Sequence, residues 1–136
     1  MSQLHHEPTV SQALFNGVRC TCPNCGEGKL FRRFLKVTET CSVCGEALHH
    51  HRADDMPAYI VMSIVGHVVI AFVFWVEFRL GGWPTSLHLA VWLPATVLLS
   101  LALLQPVKGF IVGLQWSFRM HGFGASRPPR PADATG

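Results

Sequence analysis

The chain has 136 residues, of which 49% are hydrophobic and only 14% charged, with a formal net charge of +3 at pH 7. That length suits one ordinary domain, but the apolar residues gather after residue 57, so the composition divides the chain into a polar head and a membrane part. Residues 1–57 contain six Lys or Arg and six Asp or Glu, and a head without excess cations is a poor reader of nucleic acid.

Residues 1–19 show no clear periodicity. Val10 to Phe15 offers at most one short amphipathic turn, so the segment reads as flexible. His5, His6 and Glu7 stand where the apolar centre of a cleavable signal peptide would be needed, and none is expected.

The next stretch contains the strongest signal. Cys22-Pro23-Asn24-Cys25-Gly26 and Cys41-Ser42-Val43-Cys44-Gly45 are two Cys-x-x-Cys knuckles separated by fifteen residues. Each knuckle offers two sulfurs to one tetrahedral ion, so Cys22, Cys25, Cys41 and Cys44 are the expected ligands of a structural Zn2+ in a zinc ribbon spanning 20–52. Gly26 and Gly45 fall where the chain must turn tightly. A segment this short cannot fold on apolar burial alone, whereas a structural zinc supplies on the order of 10 kcal/mol. Redox work by the cysteines is the rival reading, disfavoured by two pairs at ribbon spacing. Cys20 is within ligand range and could replace Cys22, but the Pro23 and Gly26 context favours Cys22 and leaves Cys20 a free thiol. Leu30 to Val37 suits the short strands of a ribbon. Its Arg32, Arg33 and Lys36 either screen the doubly negative zinc–thiolate centre or contact anionic lipid or a partner.

The acidic pair Asp54-Asp55 before Met56-Pro57 looks like a helix start, with an Asp side chain accepting from first-turn amides. A first transmembrane helix is expected over about 58–78, with Tyr59 at the interface, and a second over about 87–105. Arg79 to Ser86 is the Gly- and Pro-marked turn between them. Pro94 is a kink and Gln105-Pro106 the expected stop. Together 53–107 form a two-helix hairpin, with Gly66 and Ala71 as close-packing positions. Beyond it, Val107, Phe110, Ile111, Leu114 and Phe118 share a helical face, which predicts an interfacial amphipathic helix over 108–121 with Lys108 and Arg119 toward headgroups. The strict alternation of Leu114 to His121 is a competing strand pattern, disfavoured because an unpaired strand there leaves backbone groups unsatisfied. The tail 122–136, with Pro128, Pro129 and Pro131, reads as disordered. The fold class is thus a small zinc ribbon of short β-hairpins followed by an all-α membrane part.

Charge sets the expected orientation. The connecting loop has only Arg79, whereas Arg52, Lys108, Arg119 and Arg127 flank the other helix ends, so both termini should face the cytoplasm. Thiols in that reducing compartment point to metal rather than disulfides.

Few other residues invite chemistry. His49, His50 and His51 are potential metal ligands, although three consecutive side chains rarely converge on one ion. His67 lies near mid-bilayer. It is either a neutral residue bonded to a helix neighbour such as Thr96 or Ser100, or a haem ligand needing a second copy or a partner subunit, because no second histidine lies at its depth. Glu77 is expected to associate with Arg79, Trp83 and water. No nucleophile with its base, paired carboxylates or phosphate loop is visible, so no enzyme and no small-molecule substrate is expected.

Cys22-Pro23-x-Cys25-Gly26-x-Gly28-x-Leu30-Phe31, Cys41-x-x-Cys44-Gly45, Arg52-Ala53-Asp54-Asp55-x-Pro57-Ala58-Tyr59, Gly66-His67 and Lys108-Gly109 together resemble a bacterial family of short membrane proteins: a domain of unknown function with an N-terminal four-cysteine zinc ribbon and two transmembrane helices. The resemblance covers Arg19 to Phe123; Cys20 and the triple histidine depart from it. Genes of that family often lie near those for the haem-copper cytochrome oxidase and its assembly factors. The resemblance therefore implies a non-enzymatic accessory or assembly factor, with the lipid bilayer and subunits or assembly factors of cytochrome oxidase as partners. The alternative is a metal- or haem-handling membrane protein using His67 and His49 to His51.

Overall fold

The computed structural model describes residues 7–50 and 55–123. The expectations for His51, Arg52 and Asp54, and for the tail from 124 onward, lie outside the described residues. In chain order the elements are α1 (Val10–Val18), β1 (Phe31–Arg33), β2 (Lys36–Val37), α2 (Met56–Leu80) and α3 (Thr85–Ser117), followed by a 3-10 turn at Met120–Gly122. A small β-hairpin with its cysteine cluster precedes two long apolar helices, which is the expected fold class.

The long helices follow from composition. α2 and α3 reach mean hydropathies of 2.3 and 2.1 over their most apolar windows, and each is long and apolar enough to cross a bilayer. Pro57 stands in the first turn of α2, where a missing amide hydrogen costs nothing. Asp55 precedes it in a helical conformation and its side chain caps no amide, contrary to the expected acidic cap. At the other end Gly81 takes φ +75°, a left-handed turn that suits a residue without a Cβ, and Pro84 leads into α3.

The hairpin is tied near its loop by a polar chain across the two helices. His88 Nε2 lies 2.5 Å from Glu77 Oε1, and Trp92 Nε1 donates to His88 Nδ1 at 3.0 Å. An indole nitrogen only donates, so Nδ1 accepts and Nε2 carries the hydrogen given to the carboxylate. Glu77 therefore finds its partner on the facing helix, not in Arg79 and Trp83. Gly66 is not the close-packing position anticipated, since a Cβ there would meet nothing within 4 Å.

α3 does not stop at Gln105-Pro106. It runs unbroken through Pro94 and Pro106 to Ser117, so the predicted interfacial helix is its last turns and no boundary exists at 107/108. The strand alternative for Leu114 to His121 is absent. Local propensity is overridden because the turns after Pro106 bury Gly109, Val112, Gly113 and Trp116, which rewards continuing the helix more than the proline penalises it. Of the face predicted to meet lipid, Ile111 is buried as well, whereas Phe110 and Phe118 are exposed.

What covers the face is α1, in a segment expected to be flexible. Its start is a capping box: Thr9 Oγ1 accepts from the Gln12 amide while Thr9 N donates to Gln12 Oε1 at 3.0 Å. A nine-residue helix is marginal alone and depends on tertiary packing. Ala13 and Gly17 lie against Gly109 and Gly113. A Cβ on Gly17 would collide with the Gly109 carbonyl oxygen, one on Gly109 with the Gly17 carbonyl oxygen, and one on Gly113 would come within 2.7 Å of the Ala13 oxygen. Two small-xxx-small pairs thus let the backbones touch, a packing mode familiar from membrane helices.

The core of the head is shared between the ribbon and α3. Leu30, Val37, Leu48, Cys22 and Cys41 pack with Ala13 of α1, Val112 and Trp116 of α3, and Phe123. After α3 the chain reverses at Arg119 and His121, both at positive φ, which returns Phe123 to the core. Arg119 sits 3.4 Å from Glu7.

Gly109→Val should drive α1 off α3 and destabilise the head by about 2 kcal/mol or more. Faster proteolysis within 7–19 in detergent checks this. Gly66→Ala, with open space around it, should leave the proteolysis rate unchanged.

Candidate metal centre

Each cysteine pair sits on a knuckle turn closed by a backbone bond, from the Gly26 amide to the Cys22 carbonyl and from the Gly45 amide to the Cys41 carbonyl. Gly26 and Gly45 take φ +72° and +74°, the left-handed conformation anticipated for them. The first knuckle is closed below by the Thr21–Lys29 bridge and the second by the Thr40–Ala47 bridge. Between them the hairpin pairs Phe31 with Val37 and Arg33 with Lys36, leaving Phe34-Leu35 as the turn.

These turns bring Cys22, Cys25, Cys41 and Cys44 together, with all four sulfurs within 4.8 Å of one another. Cys22 Sγ is 3.7 Å from Cys44 Sγ, and Cys25 Sγ is 3.7 Å from Cys41 Sγ. A tetrahedral ion with metal–sulfur bonds of about 2.3 Å sets its ligands about 3.8 Å apart, so the sulfurs stand where such an ion needs them. Cys22 and Cys41 are buried, Cys25 and Cys44 half-buried. Four converging thiols could hold a metal ion, and no other such cluster occurs among the described residues.

The surroundings act on the thiols in opposite directions. The amides of Gly28 and Val43 approach Cys25 Sγ and Cys41 Sγ at 3.5 and 3.4 Å, and Asn24 Nδ2 lies 3.6 Å from Cys44 Sγ and 3.4 Å from Glu46 Oε2. Burial pushes the Cys22 and Cys44 thiols up. At Cys41 burial acts the same way, but the backbone amides of Cys44 and Val43 outweigh it and bring the thiol down to about 7. Gly28 also leaves room for sulfur, because a Cβ there would run into Cys41 Sγ. Cysteine spacing does not by itself announce Asn24 as a support, whereas Gly28, two residues beyond Gly26, is visible in the motif.

The remaining candidates are dispersed. Cys20 stays outside the cluster, at positive φ, with its sulfur 3.8 Å from the Val18 carbonyl. His49 and His50 have ring centroids 4.1 Å apart, and His50 meets the Phe123 ring edge-on at 5.7 Å. His67 is exposed on α2, its Nδ1 2.6 Å from the Ser63 carbonyl of its own helix. Thr96, one suggested partner, donates instead to the Trp92 carbonyl at 2.6 Å.

Residues 31–116 match the sequence model of a family described as a protein of unknown function (DUF983). No curated protein matches the chain, and neither does any solved structure.

Purified protein should contain one metal ion per chain, lost in Cys41→Ser and retained in Cys20→Ser, as elemental analysis would report. Because Cys22 and Cys44 have raised pKa values, they are protonated in metal-free protein at neutral pH. Metal binding must expel those protons, so affinity should rise with pH. Adding metal to the metal-free protein in weak buffer at pH 7 should acidify the solution.

Proposed function

The chain belongs to the DUF983 family of proteins of unknown function, and on that premise we propose that it is a non-enzymatic scaffold or assembly factor of the bacterial inner membrane, serving a respiratory haem-copper oxidase. The observation that carries the reading is the rigid attachment of a four-cysteine head to the end of a membrane-crossing helix. Such a body presents a fixed surface beside the bilayer. Zinc is the proposed ion, because four thiolates in tetrahedral array suit it and its role in such closed sites is structural.

The orientation follows from cations. Among the described residues Arg19, Lys29, Arg32, Arg33, Lys36, Lys108 and Arg119 lie on the head side of the two helices and Arg79 alone on the loop side, which supports a cytoplasmic head by the positive-inside rule. Two helices in contact leave most of their surface uncovered: Phe72, Phe74, Phe78, Leu93 and Leu98 are all exposed. Lipid or the helices of a larger complex would cover them. The oxidase as partner rests on the resemblance of the motifs and on their gene neighbourhood.

A second reading, haem or metal handling, draws on His67. A carbonyl oxygen only accepts, so its bond to Ser63 puts the hydrogen on Nδ1 and leaves Nε2 as a lone pair on an exposed face. Metal-binding histidines are commonly oriented in this way. Haem ligation there would need a histidine from a second chain.

Affinity purification from native membranes in mild detergent should recover an oxidase subunit or assembly factor, with one zinc and no Soret band. Recovery of the chain alone would count against the scaffold. A Soret band abolished by His67→Ala would establish the second reading instead.

A further inference from the structure

Four cations converge on one cleft where the head meets the helices. Arg32, Arg33 and Lys36 come from the β1–β2 hairpin and Lys108 from α3, and with exposed Phe34 they line an opening of about 540 Å³. Among the described residues Glu39 is the one carboxylate in that lining. None of the four cations joins an ion pair among the described residues, where the pairs are His88 with Glu77 and Arg119 with Glu7. The amides of Gly28 and Val43 and the side chain of Asn24 approach the thiols, and among the described residues no cysteine lines the cleft.

The depth of the cleft follows from Lys108. Between Leu80 and Val107 the chain has no Asp, Glu, Lys or Arg. From Leu87 to Val107 the helix rises about 31 Å, close to the thickness of a bilayer core of about 30 Å. Lys108 is therefore the first charge to emerge on the head side, at headgroup level. Because Lys108 and the hairpin line the same cleft, the hairpin tip is held at that level too. The connection is rigid, since Gly109, the next residue, is clamped against Gly17.

We propose that this cleft binds the phosphate of an anionic phospholipid headgroup from the adjoining leaflet. Guanidinium forks match phosphate oxygens in pairs, and lysine adds a point charge. Phe34, 48% exposed in the turn between the basic residues, supplies the apolar tip that lies along the glycerol and acyl boundary. A volume of this order falls within the usual range of small-molecule sites, about 300–1,000 Å³. The inference rests on α2 and α3 crossing a bilayer; it requires neither the oxidase nor zinc.

The test is native mass spectrometry of the full chain released from nanodiscs of phosphatidylcholine mixed with phosphatidylglycerol. The expected result is one retained phosphatidylglycerol, preferred about tenfold or more over phosphatidylcholine. The preference should be lost in Arg32→Gln/Arg33→Gln/Lys36→Gln and, separately, in Lys108→Gln, which leaves the ribbon sequence untouched. Unchanged metal content in each variant shows that the head remains folded. A preference that survives Lys108→Gln overturns the assignment. So does displacement of the lipid by millimolar inorganic phosphate, which would make free phosphate the ligand. A chain integrated in the bilayer with equal affinity for both lipids sinks this inference alone, whereas a chain that never enters the nanodisc sinks the membrane reading with it.

Discussion

Backbone contact between Gly17 and Gly109 is the constraint on which the rest of the arrangement depends. Glycine on both sides lets α1 reach the carbonyl of α3, and the neighbouring pair Ala13 and Gly113 repeats the contact one turn on. With α1 seated, the end of α3 acquires a buried face, and the helix continues past Pro106 for about three turns beyond the apolar run. Those turns are the floor on which the ribbon sits. Head and membrane anchor are consequently one packed body, not two domains joined by a linker.

A four-sulfur ribbon is usually pictured as metal standing in for a hydrophobic core, and here that picture is half of the account. The knuckles bring the sulfurs into tetrahedral reach, and a bound ion would contribute on the order of 10 kcal/mol. Yet Leu30, Val37 and Leu48, the apolar residues of the ribbon, are buried against Val112, Trp116 and Phe123. The head has a helix beneath it, and four thiols within it that could hold an ion. The helix also fixes where the ribbon stands relative to the bilayer, which a metal alone would not do.

The membrane part follows a different economy of contacts. α2 and α3 touch along one line and are fastened at the loop end by the Glu77, His88 and Trp92 chain. There the carboxylate and the imidazole satisfy one another across the two helices. Elsewhere the pair is uncovered, and His67 lies on the exposed side with its ring oriented by its own helix. Partners of the hairpin would therefore be met by aromatic and aliphatic side chains and by one imidazole.

The sequence by itself determined the features with a short-range or compositional cause. Cysteine spacing named the four thiols that converge and the glycine turns, since two sulfurs per knuckle and a left-handed residue after each are local requirements. Uncharged runs named both long helices, because length and hydropathy suffice. Tertiary structure alone decided the contents of residues 10–18 and the end of α3. The Thr9 and Gln12 capping box was present in the sequence, but nine weakly amphipathic residues become a helix only when another backbone lies against Ala13 and Gly17. Pro106 looked like a stop because its cost is local, while the gain from burying Gly109, Val112 and Trp116 comes from a segment about a hundred residues earlier in the chain. The pairing of Glu77 with His88 had the same origin: each residue was visible, and only the crossing of two helices brought them within a hydrogen bond.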